Sequence, residues 1–220
     1  MKSRFVVAQM EQNGDPEINL ENARKAVAEA VEYYHADFIV FPECFMSLYP
    51  AGTPHETQLA SAQTLDGPFA TEMKKLAKDN HVWIAFGMNE KVDNPADPRN
   101  HNTTMIIDSE GEIKGVYRKT HLYDAFGYKE SDTICPGDKL FDPIDTPFGK
   151  IGLFVCYEVR FPEVARDQVL KGADIILMPT AWASGPLKSH QFKSLITARA
   201  IENTAYIVAA DQVGVNSMGE

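Results

Sequence analysis

The chain has 220 residues, of which 44% are apolar, so we expect one α/β domain (residues 1–220) with a sizeable core. Its 31 acidic residues outnumber its 21 basic ones, and the net charge of −10 argues against nucleic acid or an anionic membrane as a partner. No run approaches the ~20 consecutive apolar residues of a membrane span, and no secretory segment opens the chain. We therefore expect a cytoplasmic protein.

Alternating apolar runs predict eight strands, at residues 5–9, 38–41, 82–87, 104–107, 113–117, 150–156, 175–178 and 205–210. Helical periodicity and start signals predict helices at residues 20–34, from 66–68 onward, at 162–171 and at 187–202. Strands that alternate with helices indicate a layered α/β fold.

The cysteines and histidines show no metal-binding or disulfide pattern. Cys44, Cys135 and Cys156 are odd in number and lack CxxC spacing, so we expect reduced thiols. The six histidines form no ligand set, and no Gly-rich phosphate loop is present. We expect no cofactor and no metal.

Cys156 ends the apolar run 150–156, just before a predicted helix. The unpaired amides of a helix start favour a thiolate over a thiol and can donate hydrogen bonds to an oxyanion beside the sulfur. That position suits a nucleophile, although the segment taken alone fits a small buried core residue better.

Two charged residues occupy comparable strand ends. The run 38–41 stops at Pro42 and delivers Glu43 to its carboxyl end, and the extended run 113–121 brings Lys119 to a similar exit. Each of these charges, considered separately, also fits a solvated loop residue.

The phrases around these three residues resemble the nitrilase superfamily of carbon-nitrogen hydrolases, in particular its amidase-like branch. Those phrases are Phe41-Pro42-Glu43, Tyr117-Arg118-Lys119-Thr120-His121-Leu122 and Gly152-Leu153-Phe154-Val155-Cys156-Tyr157-Glu158-Val159-Arg160-Phe161-Pro162-Glu163, with further stretches at 182–186 and 198–203. Glutamate, lysine and cysteine follow in the family's order, 76 and 37 positions apart, and the resemblance covers residues 5–213.

The resemblance implies a four-layer α-β-β-α sandwich and a homodimer that packs through the helices after Pro162 and from Leu187. Relatives usually continue beyond the last residues of this chain with a Gly-rich loop and a strand pair. We therefore expect the C-terminal strands to be missing, which would leave one sheet edge open.

The resemblance also implies roles for the site residues. Cys156 is expected to attack an amide carbon, Glu43 to act as the acid and base, and Lys119 with the backbone N–H of Tyr157 to hold the oxyanion. Glu130 matches the family's second carboxylate, which orients the lysine or the substrate. The alternative for Glu130 is a residue of a charged loop.

For the substrate, Arg160 is the candidate that binds a carboxylate, and the alternative is a structural ion pair with Glu158 or Glu163. Three aromatic residues are candidate pocket walls, although packing roles are also common at such positions. These are Tyr49, Phe126 and Trp182.

Three readings of the activity follow. We favour hydrolysis of a linear primary amide, such as the ω-amide of a small carboxylic acid, with release of ammonia; N-carbamoyl amino acids and nitriles stay open as substrates. A Cys-His protease would pair Cys156 with His121 or His190 but leaves Lys119 and Glu43 without roles. The rival of another class is a truncated, inactive binding or assembly module.

Overall fold

The computed structural model describes residues 2–50, 52–94 and 96–214, which form two mixed sheets and a small hairpin. The first sheet has strand order β1 (Phe5–Val7), β2 (Phe38–Val40), β3 (Trp83–Lys91), β4 (Asn100–Ile107) and β5 (Ile113–Arg118). The hairpin pairs β6 (Asp124–Ala125) with β7 (Tyr128–Lys129). The second sheet contains β8 (Ile144–Thr146), β9 (Gly149–Leu153), β10 (Ile175–Pro179) and β11 (Tyr206–Ala210), in the order β11-β10-β9-β8.

Within the described residues, five α-helices accompany the sheets: α1 (Pro16–Glu32), α2 (His55–Ala60), α3 (Pro68–Asp79), α4 (Pro162–Leu170) and α5 (Lys188–Asn203). The first helix begins where the Asp15 side chain accepts a 2.9 Å hydrogen bond from the N–H of Glu17. Proline occupies the first turn of α1, α3 and α4, where its missing N–H costs no hydrogen bond. None of the described helices combines the length and apolar character that crossing a bilayer requires.

Side chains alternate between two cores along the central strands, which produces the layers. In β2, Ile39 packs against the helices of the first layer, whereas Phe38 and Val40 point into the space between the sheets. In β10, Leu177 meets them there, whereas Ile176 packs toward α4 and α5. Three apolar cores therefore separate four layers, and the predicted α-β-β-α sandwich is confirmed.

The carboxyl ends of the parallel strands of both sheets meet at one edge. Glu43 follows β2, Lys119 follows β5, and Cys156 follows β9 by two residues. A hydrogen bond of 2.9 Å from the N–H of Ala181, which follows β10, to Glu43 Oε2 joins the two sheets there. This edge is where ligands bind in open α/β sheets.

Several strand boundaries predicted from the sequence are wrong. Strand β4 begins at Asn100 rather than at 104, because its polar first residues are buried and pair with β3. Strand β9 ends at Leu153 rather than at 156, since the backbone turns away before Cys156, whose φ is 47°. The short strands β6, β7 and β8 and helix α2 carry too few residues to give a periodic signal. The expected loss of C-terminal strands lies outside the described residues.

At Gly87 of β3, the backbone of the segment that follows β2 packs directly against the strand. Its N–H donates to Pro42 O at 3.2 Å, and its carbonyl accepts from the N–H of Met46 at 2.9 Å. A Cβ at this position would lie 2.4 Å from the backbone nitrogen of Cys44. Glycine is required here because the neighbouring atoms are backbone and have no rotamer into which they could move.

We expect Gly87→Ala to lower the free energy of unfolding by about 3 kcal/mol, the upper range for overpacking, because backbone must shift. Gly52→Ala is the matched control, since Gly52 has φ 83° with nothing within 4 Å of the added Cβ. It should cost about 1 kcal/mol, from left-handed strain alone. Urea denaturation measures both, and equal losses would contradict the close approach at Gly87.

Candidate active site

Glu43 occupies a tight turn after β2 and is buried. Its carbonyl accepts a 2.7 Å hydrogen bond from Gln12 Nε2, which fixes the turn. Carboxylate oxygen Oε1 accepts from Lys119 Nζ at 2.8 Å, and Oε2 accepts from the N–H of Ala181 at 2.9 Å. Both oxygens are therefore aimed into the cleft between the sheets.

Lys119 is only 2% exposed, and its ammonium lies between two carboxylates. Nζ is 2.8 Å from Glu43 Oε1 and 2.9 Å from Glu130 Oε2. Burial by itself lowers the pKa of Lys119, but the charges of Glu130 and Glu43 more than offset it and hold the pKa well above its usual value. The lysine is therefore a fixed positive charge.

Glu130 reaches the same lysine from the β6–β7 hairpin. Directly after the hairpin, Glu130 begins a 3₁₀ turn, and its side chain is buried. Its Oε2 accepts a hydrogen bond from the N–H of Tyr123 at 2.6 Å. Its Oε1 accepts from Lys119 Nζ at 3.2 Å. The Glu130 carboxylate is therefore anchored to the backbone. The four catalytic residues predicted from the sequence, Glu43, Lys119, Glu130 and Cys156, all line one pocket.

Asn102 was missed by the sequence analysis. It lies at the start of β4, and its Nδ2 donates to Glu43 Oε1 at 2.7 Å and to Glu130 Oε1 at 3.1 Å. A neutral donor shared by two acids relieves their mutual repulsion. The only signal in the sequence is the polar run Asn100-His101-Asn102-Thr103-Thr104 directly before the apolar residues 105–107.

Cys156 begins a 3₁₀ helix, Cys156–Arg160, with a left-handed φ of 47°. Such strain in a non-glycine residue is concentrated at functional sites. Burial raises the pKa of the Cys156 thiol well above its usual value, Glu43 raises it further, and Lys119 with the N–H of Ala181 offsets only part of this. The expectation that the helix start favours the thiolate is wrong, since desolvation and the adjacent carboxylate outweigh the amide dipoles.

Glu158 connects the segment that carries Lys119 to the segment that carries Cys156. Its Oε1 accepts from Tyr117 Oη at 2.7 Å and from the N–H of Thr120 at 3.0 Å, and its Oε2 accepts from the N–H of Val155 at 2.8 Å. Thr120 adjoins Lys119 in the chain and Val155 adjoins Cys156. One fully buried carboxylate therefore sets the spacing between the two segments.

A pocket of about 100 Å³ opens above Cys156. Its described lining combines buried charged residues, which form the floor, with partly exposed aromatic and basic residues, which form the mouth. These are Glu43, Cys44, Leu48, Asn102, Lys119, Tyr123, Tyr128, Glu130, Cys156, Tyr157, Arg160, Ala181, Trp182, Ala183 and Lys188. Within residues 2–50, 52–94 and 96–214, no group of three or more His, Cys, Asp or Glu side chains is arranged to hold a metal ion.

Arg160 lines this pocket and forms no ion pair with any described residue. Its Nη2 donates to Gln191 Oε1 at 2.7 Å, and its Nε is buried without a hydrogen-bond partner in the described chain. The alternative of a structural pair with Glu158 is excluded because that carboxylate is occupied elsewhere, and Glu163 makes no ion pair with Arg160 either. The guanidinium is therefore available to a ligand.

The three predicted aromatic walls have different positions. Trp182 lines the pocket, whereas Phe126 is not among its lining residues: it is 71% exposed, and its ring centroid lies 5.8 Å from Arg160 Cζ. Tyr49 does not line it: the ring packs over Gly14 and borders a neighbouring cavity. The prediction for Tyr49 is corrected because the chain after Leu48 turns away from Cys156.

Asp211 was also missed, and it supports the loop that carries Trp182. Its Oδ1 accepts from the N–H of Trp182 at 2.9 Å and from the N–H of Gln212 at 2.9 Å. Burial raises the pKa of Asp211 to about 6 despite these hydrogen bonds. Its position, at the carboxyl end of β11, is the same kind of position that identified Cys156.

Comparison with known proteins identifies relatives over most of the chain. The profile of the carbon-nitrogen hydrolase family matches residues 6–219. Deaminated glutathione amidase of Escherichia coli O157:H7 is 34% identical over 206 residues, which cover 93% of this chain and 75% of that protein. The nitrilase and fragile histidine triad fusion protein NitFhit of Caenorhabditis elegans is 32% identical over 219 residues, 97% of this chain. The chain spans about half of that fusion protein, 48%.

Solved structures share the architecture. The crystal structure of the C. elegans NitFhit protein superposes with a TM-score of 0.86 and 32% identity, covering 98% of this chain and 53% of that one. A variant of the amidase from Nesterenkonia sp. AN1, in which acrylamide has undergone Michael addition at the active-site cysteine, has a TM-score of 0.82 and 25% identity. That match covers 98% of this chain and 81% of the amidase.

The charges around Cys156 predict opposite shifts in its reactivity. Glu43→Gln removes an anion that raises the thiol pKa, so the alkylation of Cys156 by iodoacetamide should develop at lower pH than in the wild type. Lys119→Met removes the offsetting cation and should move the same curve to higher pH. Mass spectrometry follows both, with Cys135 as the internal control. Shifts in the same direction would contradict this electrostatic account.

Proposed function

The chain belongs to the carbon-nitrogen hydrolase family, and from that premise we propose that it hydrolyses a linear amide through a thioester on Cys156, with release of ammonia. The observation that carries the proposal is the buried Lys119 ammonium, held between Glu43 and Glu130 in the pocket that also contains Cys156. Acyl transfer from an amide needs a nucleophile, a proton carrier and an anion-stabilising group, and these residues supply all three.

In the first step, Glu43 takes the proton of the thiol. Because the pKa of Cys156 is raised, the sulfur is protonated at rest and needs a base at the moment of attack. The sulfur then forms a bond to the amide carbon, and the carbonyl π electrons move onto oxygen. The proton stays on Glu43, within the site.

The oxyanion is stabilised by Lys119 and by the backbone N–H of Tyr157. The pKa of Lys119 is held well above its usual value, so the lysine remains an ammonium and serves as a donor, not as the base. Tyr157 follows the nucleophile in the 3₁₀ helix Cys156–Arg160. Preorganised donors of this kind need no reorganisation when the charge develops.

The intermediate collapses when Glu43 gives its proton to the leaving nitrogen. The carbon-nitrogen bond breaks, ammonia departs and a thioester remains on Cys156. Glu43 then removes a proton from water as the water oxygen bonds to the thioester carbon. The carbon–sulfur bond breaks, Glu43 returns the proton to the sulfur, and the carboxylic acid product is released. One carboxylate therefore serves both halves of the reaction.

Glu130 acts as a positioning residue. Its oxygens accept hydrogen bonds from Lys119, Asn102 and the N–H of Tyr123, and Glu43, not Glu130, is the carboxylate that contacts the Cys156 thiol. It fixes the direction in which the lysine points. This role agrees with the orientation predicted from the sequence.

The substrate we propose is a small ω-amide of a carboxylic acid. Arg160 offers a guanidinium without an acidic partner among the described residues, and the pocket of about 100 Å³ suits a short linear molecule. N-carbamoyl amino acids and nitriles remain the alternative substrates because the same thiol chemistry serves them.

An inactive assembly module is disfavoured by the complete set of contacts around Lys119. The homodimer and the cytoplasmic location stay predictions.

We expect ammonia release to be abolished in Cys156→Ala. Glu43→Gln and Lys119→Met should each lower kcat by about 10²–10³-fold, since each removes a proton carrier or an oxyanion donor. Glu130→Gln should lower kcat less than Lys119→Met does, because it acts through the lysine. The exposed Glu163→Gln on α4 is the control and should retain the wild-type rate.

A coupled ammonia assay on a panel of primary amides, N-carbamoyl amino acids and nitriles measures these rates and ranks the substrates. Wild-type activity in Cys156→Ala would refute the thioester route. A wild type that releases no ammonia from any compound of the panel would favour the inactive module instead.

A further inference from the structure

Lys188 is a cation at the mouth of the pocket that the proposed mechanism does not use. It is the first residue of α5, it is half-buried, and it forms no ion pair with any residue in the described ranges. Its Nζ donates to Tyr123 Oη at 3.1 Å and lies 4.3 Å from the centroid of the Phe126 ring. An ammonium has three donors, so two remain for a ligand.

Arg160 approaches the same aromatic rings. Its Cζ lies 5.2 Å from the ring centroid of Trp182 and 5.8 Å from that of Phe126, and Lys188 Nζ lies 5.8 Å from that of Trp182. Both cations therefore flank one part of the pocket. The aromatic faces hold them in place without neutralising them, as an acidic partner would.

The charges of the pocket are separated along its depth. At the floor, the carboxylates of Glu43 and Glu130 outnumber the ammonium of Lys119, whereas the described residues at the mouth include Arg160 and Lys188 and no acid. A carboxylate on the substrate would be repelled by the floor and attracted to the mouth. An amide with an acid group at its other end is therefore oriented with the amide toward Cys156.

We propose that Lys188 is a specificity-determining residue, which binds the terminal carboxylate of the substrate together with Arg160. The proposal deepens the amidase function and rests on it for the identity of the substrate. Lys188 supplies a point charge that adapts to the length of the substrate, and Arg160 supplies the fixed fork. Loss of Lys188 weakens the binding of acidic amides and leaves neutral amides of the same shape comparatively unaffected.

The test is a binding measurement that needs no turnover. In the Cys156→Ala protein, isothermal titration compares succinamate with butyramide, which has nearly the same shape but a methyl group in place of the carboxylate. We expect succinamate to bind more tightly. Adding Lys188→Met should raise its Kd about tenfold, the range for a hydrogen bond to a charged group, whereas Lys188→Arg should retain most of the affinity. The control is Lys193→Met, an exposed lysine on the same helix.

The succinamate-to-butyramide affinity ratio decides the outcome. A ratio that falls in Lys188→Met and not in Lys193→Met supports the proposal, whether or not the wild type releases ammonia. The proposal is overturned if Lys188→Met and Lys193→Met bind succinamate equally well. It is also overturned if the Cys156→Ala protein binds succinamate no more tightly than butyramide, or does not bind succinamate at all. Failure of the amidase function appears separately, as absence of ammonia from the wild type.

Discussion

The ammonium of Lys119, buried between the carboxylates of Glu43 and Glu130, is the interaction on which the site depends. A charge in the protein interior is tolerated only when opposite charges and hydrogen bonds compensate for the loss of water. Here Nζ contacts both acids within 3 Å, and Asn102 donates to each of them. Since removal of Lys119 would leave two buried carboxylates without a counter-charge, the ammonium holds the group in one arrangement before any substrate arrives.

The same arrangement sets the resting state of the nucleophile. Burial raises the pKa of the Cys156 thiol, and the charge of Glu43 raises it further against the opposing charge of Lys119, so the sulfur keeps its proton. A thiol is less reactive toward oxidants and alkylating agents than a thiolate. In the proposed mechanism, the thiolate is therefore produced only when the base, the carbonyl carbon and the oxyanion donors are aligned.

Local signals predicted the layered fold and placed Glu43, Lys119 and Cys156 at strand ends, whereas their roles and the choice of Glu130 came from the family resemblance. Alternating apolar runs locate strands, and a polar residue just past a strand's end marks the edge of a sheet. Asn102, Asp211 and Lys188 escaped notice because their proximity to the site arises from strand register and from the packing of α5, which no short phrase records. The error for Tyr49 has the same origin: its direction is set by the turn after β2, where contact with Gly14 determines the position of the ring.

The hydrogen bond from Ala181 to Glu43 links groups contributed by different sheets. Glu43 and Lys119 belong to strands of the first sheet, whereas Cys156 and Ala181 follow strands of the second. A nascent or partly assembled chain with only one sheet formed would contain either the acid and the lysine or the sulfur, and never the complete set. The set of contacting groups is therefore complete only once the two sheets have packed against each other.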